Sequence, residues 1–231
     1  MRQLVLSRQT STLAFMLLFA FNVQASVGSI GGVLEQSGSV AQIQRNKENI
    51  RAVLNEEIAS MDEVETKNGR LKIKFVDDTL VSLTEHTYMV IDEYVYDPNP
   101  SKSKMALNFV SGTARFATGG LGLVPRENIT IQTPTASIGI RGTDFTTTVD
   151  ELGRSLVILL PDDNCTDKVS LEEGCAPSGS ITVTNAGGTQ VLTEAYQAVM
   201  VSTFETIPTT PVTLVNLDLN MIDNMFIVSE P

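Results

Sequence analysis

Ile131-Gln132-Thr133-Pro134-Thr135-Ala136-Ser137-Ile138-Gly139-Ile140-Arg141-Gly142-Thr143-Asp144-Phe145 lies near the middle of the chain. Pro134 fixes its own φ and stiffens the backbone ahead of Thr135. Beyond it, Ala136, Ile138 and Ile140 alternate with Ser137, Gly139 and Arg141. A period of two puts the three apolar side chains on one face, which predicts a strand with one buried side. Gly139 and Gly142 flank Arg141 and allow other backbone to come close. Arg141 carries five donors and stands near Asp144, so it is expected as a buried structural arginine holding carbonyls or a carboxylate. The alternative is that Arg141 binds an anionic ligand.

The same period extends on both sides. Arg70-Leu71-Lys72-Ile73-Lys74-Phe75 alternates cleanly after the turn signal Asn68-Gly69. Asp77-Asp78 marks the next turn, and Leu80-Val81-Ser82-Leu83 comes after it. Tyr88 to Tyr96 is rich in β-branched and aromatic residues and stops at Asp97-Pro98-Asn99-Pro100, which cannot continue a ladder. Met105 to Phe116 is broken by Ser111-Gly112, and Gly119 to Gly122 reads as a loop. Asn128 to Gln132, Asp144 to Val149, Ser180 to Thr184, Thr189 to Leu192 and Ala195 to Thr203 complete the set. Ser155-Leu156-Val157-Ile158-Leu159-Leu160 is a continuous apolar run of strand length, expected to be buried on both faces.

Short strands separated by Gly, Pro and Asn turns predict an all-β fold: a layered β-sandwich, a roll or a stacked-strand domain. Arg45 to Met61 could hold one short helix. Leu217, Met221, Ile222, Met225 and Phe226 fall at helical spacing near the C-terminus, although Val215, Leu217 and Leu219 also alternate. Thr206-Ile207-Pro208-Thr209-Thr210-Pro211 reads as an extended linker. The expected organisation is a leader over 1–25, a β domain over 26–203, and a linker and tail over 204–231.

The leader is read from Arg2 and Arg8, the apolar run Leu13 to Phe21, and Val23-Gln24-Ala25 before Ser26. That run is short of the roughly 20 apolar residues of a spanning helix, so a cleaved signal peptide is preferred over an uncleaved anchor. Without residues 1–25 the chain keeps 14 basic residues against 27 acidic ones, a net charge of −13 in place of −11. Such a surface repels phosphate backbones and anionic membranes, which argues against nucleic acid as a partner. In an exported protein, Cys165 and Cys175 form a disulfide candidate; a metal pair or redox motif is the alternative.

Three stretches resemble the FecR domain family. The run Thr133-Pro134-Thr135-Ala136 through Gly139, Arg141-Gly142-Thr143-Asp144-Phe145 matches the family's hallmark. Asp62, Val64 and Thr66, with Phe75-Val76-Asp77-Asp78-Thr79, are similar to its D-x-[VI]-x-T and F-x-D-G-[ST] pair. Asp78 stands where the family usually has glycine, so a different turn is expected there. Gly38-Ser39-Val40 is similar to the G-x-V that opens the domain. The resemblance covers about residues 32–203 and implies an all-β extracytoplasmic domain. Its best-known members relay a signal from an outer-membrane receptor to a cytoplasmic sigma factor, through an N-terminal region and a membrane helix ahead of the domain. With only about a dozen residues before its apolar run, this chain is expected to lack that region.

Reactive constellations are scarce. His86, the only histidine, stands in Leu83-Thr84-Glu85-His86-Thr87 and reads as a solvated turn residue without a nucleophile elbow. Gly119-Gly120-Leu121-Gly122 lacks the lysine of a phosphate loop. Asp162, Asp163 and Asp167, with Asn164, could ligate Ca²⁺, although their spacing is not that of an EF-hand and a solvated acidic turn is preferred. Adjacent carboxylates such as Asp92-Glu93 point to opposite sides of a strand. The expectation is a chain without catalytic or cofactor-binding residues: a binding or scaffold protein of the periplasm or cell envelope, or secreted. An envelope protein or surface polysaccharide is its expected partner. A periplasmic sensor subunit is the second reading. A carbohydrate-active enzyme using Asp162 and Glu93 is the third.

Overall fold

The computed structural model describes residues 28–162 and 176–214. In chain order the strands are β1 (Ser29–Gly38), β2 (Gln42–Arg45), β3 (Glu48–Arg51), β4 (Glu57–Ala59), β5 (Glu63–Glu65), β6 (Gly69–Phe75), β7 (Leu80–Leu83), β8 (Tyr88–Val95) and β9 (Lys104–Ala117). They continue as β10 (Ile129–Gln132), β11 (Ser137–Arg141), β12 (Asp144–Val149), β13 (Ser155–Leu159), β14 (Ser180–Asn185), β15 (Gly188–Leu192), β16 (Gln197–Val201) and β17 (Val212–Thr213). Three short 3₁₀ turns, at Pro100–Lys102, Gly120–Leu123 and Arg126–Asn128, are the helical content of the described residues. The all-β expectation holds.

The pairings define two stacked layers. In one, neighbours run β4·β1·β6·β7·β9·β12·β13·β16·β17. In the other they run β3·β2·β5·β8·β9·β10·β11·β14·β15. Beyond the first pair of each layer, where β4 lies outside β1 and β3 outside β2, both orders advance with the sequence, so the chain weaves between layers while moving along the sandwich. β9 belongs to both. Its first part, to Ser111, pairs with β8, and its second, from Gly112, pairs with β12. Gly112 makes the change of layer possible with φ of +94°; a Cβ there would lie 2.3 Å from the Thr87 hydroxyl and 2.5 Å from Thr87 Cα.

Alternation fills the space between the layers. Leu71, Ile73 and Phe75 of β6, Ile138 and Ile140 of β11, and Val157 and Leu159 of β13 are at most 2% exposed and join one continuous core. Without tryptophan, the core relies on aliphatics and a few rings. Phe109 and Phe116, on the two parts of β9, meet edge to face at 6.3 Å, and Phe116 stacks on Phe145 at 5.0 Å. The bend in β9 thus turns two residues of one strand towards each other across the interior.

Several expectations change. Arg45 to Met61 is not helical: it forms the end of β2, β3 and β4. Asn46 and Lys47 take φ of +51° and +70°, the backbone of a two-residue hairpin turn, and pairing with β5 and β1 satisfies the strands on either side. β13 is buried fully only on its inner face, and Leu156 and Ile158 remain half exposed outside. Gly120–Leu123 is a 3₁₀ turn rather than an open loop. Residues 204–214, read as linker and tail, lie against the sandwich. The Ala186 and Thr209 amides donate to Phe204 and Met200 carbonyls, and β17 pairs with β16. The leader, both cysteines, Asp163, Asp167 and the helical spacing from Leu217 to Phe226 lie outside the described residues.

Candidate functional site

The motif carboxylates are framework posts. Asp62 is fully buried at the start of β5 and accepts from Arg45 Nε and Nη2, both at 2.7 Å, and from the Ala59 amide at 2.8 Å. Arg45 is thereby tied to β4 as well, donating to the Glu57 carbonyl at 2.8 Å. The bond to Asp62 holds the Arg45 guanidinium above its usual pKa. Thr66, at the other end of the same motif, donates to the Thr84 carbonyl at 2.6 Å and accepts from the Thr87 amide at 2.8 Å.

Asp77 is 4% exposed and gathers four donors: the Tyr94 hydroxyl, the Thr79 amide at 3.1 Å, the Thr79 hydroxyl at 2.7 Å and the Leu121 amide at 2.8 Å. Its carbonyl also accepts from the Gly120 amide at 2.7 Å. One side chain therefore pins the β6–β7 turn, the end of β8 and the 3₁₀ turn after β9. Burial first, and the bond to Asp77 second, push the Tyr94 phenol far above its ordinary pKa. Asp78 adopts φ of +67°, the left-handed conformation glycine favours, so the turn keeps its shape despite the side chain.

In the hallmark stretch, hydroxyls close a turn. The Thr133 amide donates to the Ala136 carbonyl at 2.8 Å, and Thr133 Oγ1 accepts from the Ala136 amide at 3.0 Å. The Thr135 and Ser155 hydroxyls stand 2.7 Å apart, and Ser155 donates to Thr133 at 2.8 Å, joining this turn to β13. Gly142 sits at φ of +54°, wedged where a Cβ on Gly179 would fall 2.1 Å from its carbonyl oxygen. Gly139 takes its place in the ladder opposite Thr182. Phe145 is fully buried, and Asp144 is nearly so.

Arg141 is a correction. It is exposed, because Ile138 and Ile140 face inward and the alternation turns Arg141 out. The arginine on Asp144 is Arg115 of β9, with Nε at 2.9 Å and Nη2 at 2.5 Å. The register sets Asp144 opposite Ala117 and Thr146 opposite Arg115, a diagonal cross-strand pair. Sequence reading missed Arg115, Arg45 and Tyr94, since the signal for each lies in strand register rather than spacing.

The other candidates are dispersed. His86 is exposed in a turn at φ of +56°. Glu93 is on β8 in one layer, whereas Asp162 comes after β13 in the other. Asp162 stands at a neck where Pro161 bridges Pro177 and the Asp162 amide donates to Ala176 at 3.0 Å, bringing together both ends of residues 163–175. Among the described residues, no group of three His, Cys, Asp or Glu side chains is placed to hold a metal ion.

A cleft of about 430 Å³ opens beside β1. Gly31, Gly32 and Phe75 line it, with the exposed Leu34 and Val76 at its walls. Lys74 and Asp78, paired at 2.7 Å, and Asn55 add a polar side. It offers an apolar surface with a charged margin and the Ser29 side chain at its rim.

Residues 62–164 match the profile of the FecR protein family. Over these residues the chain is similar to a FecR domain. The match takes in the Asp62 and Asp77 posts and the whole hallmark stretch, whereas Gly38-Ser39-Val40 falls outside it. Two crystal structures of a provisionally assigned anti-sigma factor from Parabacteroides distasonis ATCC 8503 are similar at 13% identity, with a TM-score of 0.47. The likeness covers 68% of this chain and 62% of that one, so this chain spans less than two thirds of its length. No curated protein matches. Among the described residues, no helix is long and apolar enough to cross a membrane.

Proposed function

We propose that this FecR-domain chain is an exported, non-catalytic binding or scaffold module acting in the periplasm or cell envelope, on an envelope protein or a surface polysaccharide. The FecR match carries this reading. The commitment of Asp62, Asp77 and Asp144 to bonds within the framework supports it. The cleft beside β1 is the proposed contact surface. A regulatory variant of the same reading, in which the module relays occupancy to a membrane partner, is favoured by the family's association with signalling.

Produced with its leader in a Gram-negative host, the chain should be released by osmotic shock with Ser26 at its N-terminus. Cys165 and Cys175 should show no titratable thiol until reduced. Recovery from the cytosol with residues 1–25 intact overturns the reading. For the contact surface, Leu34→Asp with Val76→Asp should abolish cross-linking to the envelope fraction while leaving the melting temperature within a few degrees. Unchanged cross-linking removes the cleft from the proposal. Cross-linking to an inner-membrane protein selects the regulatory form.

A further inference from the structure

A second cavity, of about 380 Å³, lies where the β5–β6 and β7–β8 turns meet beside the bend of β9. Glu65, Tyr88 and Ser111 stand opposite one another on β5, β8 and β9, a row across the layer. Lys67, Asn68 and His86 come from the two turns at its edge. Backbone bonds tie these turns together. The His86 amide donates to the Lys67 carbonyl and the Thr66 amide to the Thr87 carbonyl, both at 2.9 Å, and the Thr87 amide donates to the Thr66 hydroxyl at 2.8 Å. The cavity is thus shaped by the fold before any ligand arrives.

Its polar groups are uncommitted, unlike the framework carboxylates. Glu63 is taken by the Tyr88 hydroxyl, and Glu85 by Arg70 at 3.0 Å. Among the described residues, the side chains of Glu65, Lys67, Asn68, His86 and Ser111 make no hydrogen bond or ion pair. Tyr88 is half-buried, and its bond to Glu63 fixes how the ring lies.

That set selects a class of ligand. Ionised Glu65 only accepts and Lys67 only donates, whereas Asn68, Ser111 and His86 can do both. An anion would meet the Glu65 carboxylate, and a cation the Lys67 ammonium. An apolar group would strip water from five polar side chains and return no hydrogen bond. A molecule bearing many hydroxyls, each a donor and an acceptor, satisfies them together. The Tyr88 ring adds an apolar wall whose negative face attracts polarised C–H groups. A neutral pyranose has both features, hydroxyls around its rim and a face of C–H bonds.

We infer that this cavity binds a neutral pyranose unit of an oligosaccharide, one sugar face on Tyr88 and its hydroxyls shared among Glu65, Lys67, Asn68 and His86. The inference rests neither on export nor on the cleft beside β1.

Titration of the purified, ¹⁵N-labelled chain with maltohexaose, cellohexaose and chitohexaose, followed by NMR, tests it. At least one of the three should shift the Asn68 side-chain amide and the His86 ring, with a Kd of about 0.1–5 mM. Hexagalacturonate, which brings carboxylates towards Glu65, should bind at least about tenfold more weakly than that sugar. Glu65→Ala with Asn68→Ala should weaken binding at least about tenfold in a chain whose spectrum is otherwise that of the parent. Leu34→Asp with Val76→Asp should leave it unchanged. Absence of shifts with all three sugars at about 10 mM overturns the inference. So does binding that survives the double substitution at Glu65 and Asn68. Tighter binding of hexagalacturonate, or of the zwitterion glycylglycine, assigns the cavity to a charged ligand and overturns it too.

Discussion

At the residue scale, the fold rests on a few buried polar side chains placed where the sequence offers no apolar substitute. Asp77 is the most connected of these. Asp77→Ala would strand the Tyr94 hydroxyl and the Leu121 amide in the interior, each an unmet donor costing about 1–3 kcal/mol. The expected loss is about 3–5 kcal/mol, measured as a fall in the urea midpoint at unchanged slope. A loss under about 1 kcal/mol would show that water replaces the carboxylate. Tyr88 offers a pH readout. Its hydrogen bond to Glu63, at 2.5 Å, and then its burial push its phenol up to about 12. Folded chain therefore holds a proton that unfolded chain releases near pH 10, so this contribution to stability is complete below about pH 10 and disappears as pH rises towards 12. Ultraviolet titration should show a phenol ionising at about 12 that Tyr88→Phe removes. Failure of the substitution to alter the titration would place that proton elsewhere.

The element scale turns on β9. Gly112 combines a left-handed φ with contact against Thr87, so Gly112→Ala adds backbone strain and a clash together. A destabilisation of about 2–4 kcal/mol is expected in thermal or urea unfolding. A variant as stable as the parent would mean that β9 can bend at Ser111 instead. This scale also shows what the sequence makes legible. Strands such as β6 and β11 are plain from a period of two, because one face is buried and the other is not. The stretch from Arg45 to Met61 misleads, since Asn46 and Lys47 close a hairpin between β2 and β3, and the other neighbours of this stretch, β5 for β2 and β1 for β4, come from outside it. Arg141 misleads for a related reason. Proximity to Asp144 in sequence suggests a pair, but alternation sends the two apart and register delivers Arg115. Turn chemistry and periodicity are local, and strand neighbours are not.

Across the whole molecule, the two layers advance together from the β1 end to the β17 end, and their open edges are guarded differently. β4 and β17 are only 3 and 2 residues long, and β3 carries Glu48 and Arg51. Short or charged edges discourage strand addition by another chain. A net charge of −11 adds long-range repulsion between copies. The all-β class and the strand positions are legible because they arise from local patterns summed over the chain. The shared strand is not, since nothing in Lys104 to Ala117 taken alone says that its halves serve different sheets; only the partners reveal it.

That shared strand bears on how the chain matures as it emerges from a ribosome or translocase. Apart from β4 outside β1 and β3 outside β2, each layer is laid down in the order of emergence, so a later strand finds one neighbour already outside. Until Gly112 and the residues after it appear, however, β7 has no partner on its far side, and the first eight strands form an unfinished stack. Synthesis or transport stalled before Gly112 to Ala117 emerge would therefore leave a sticky, protease-sensitive stub, its β7 edge still open.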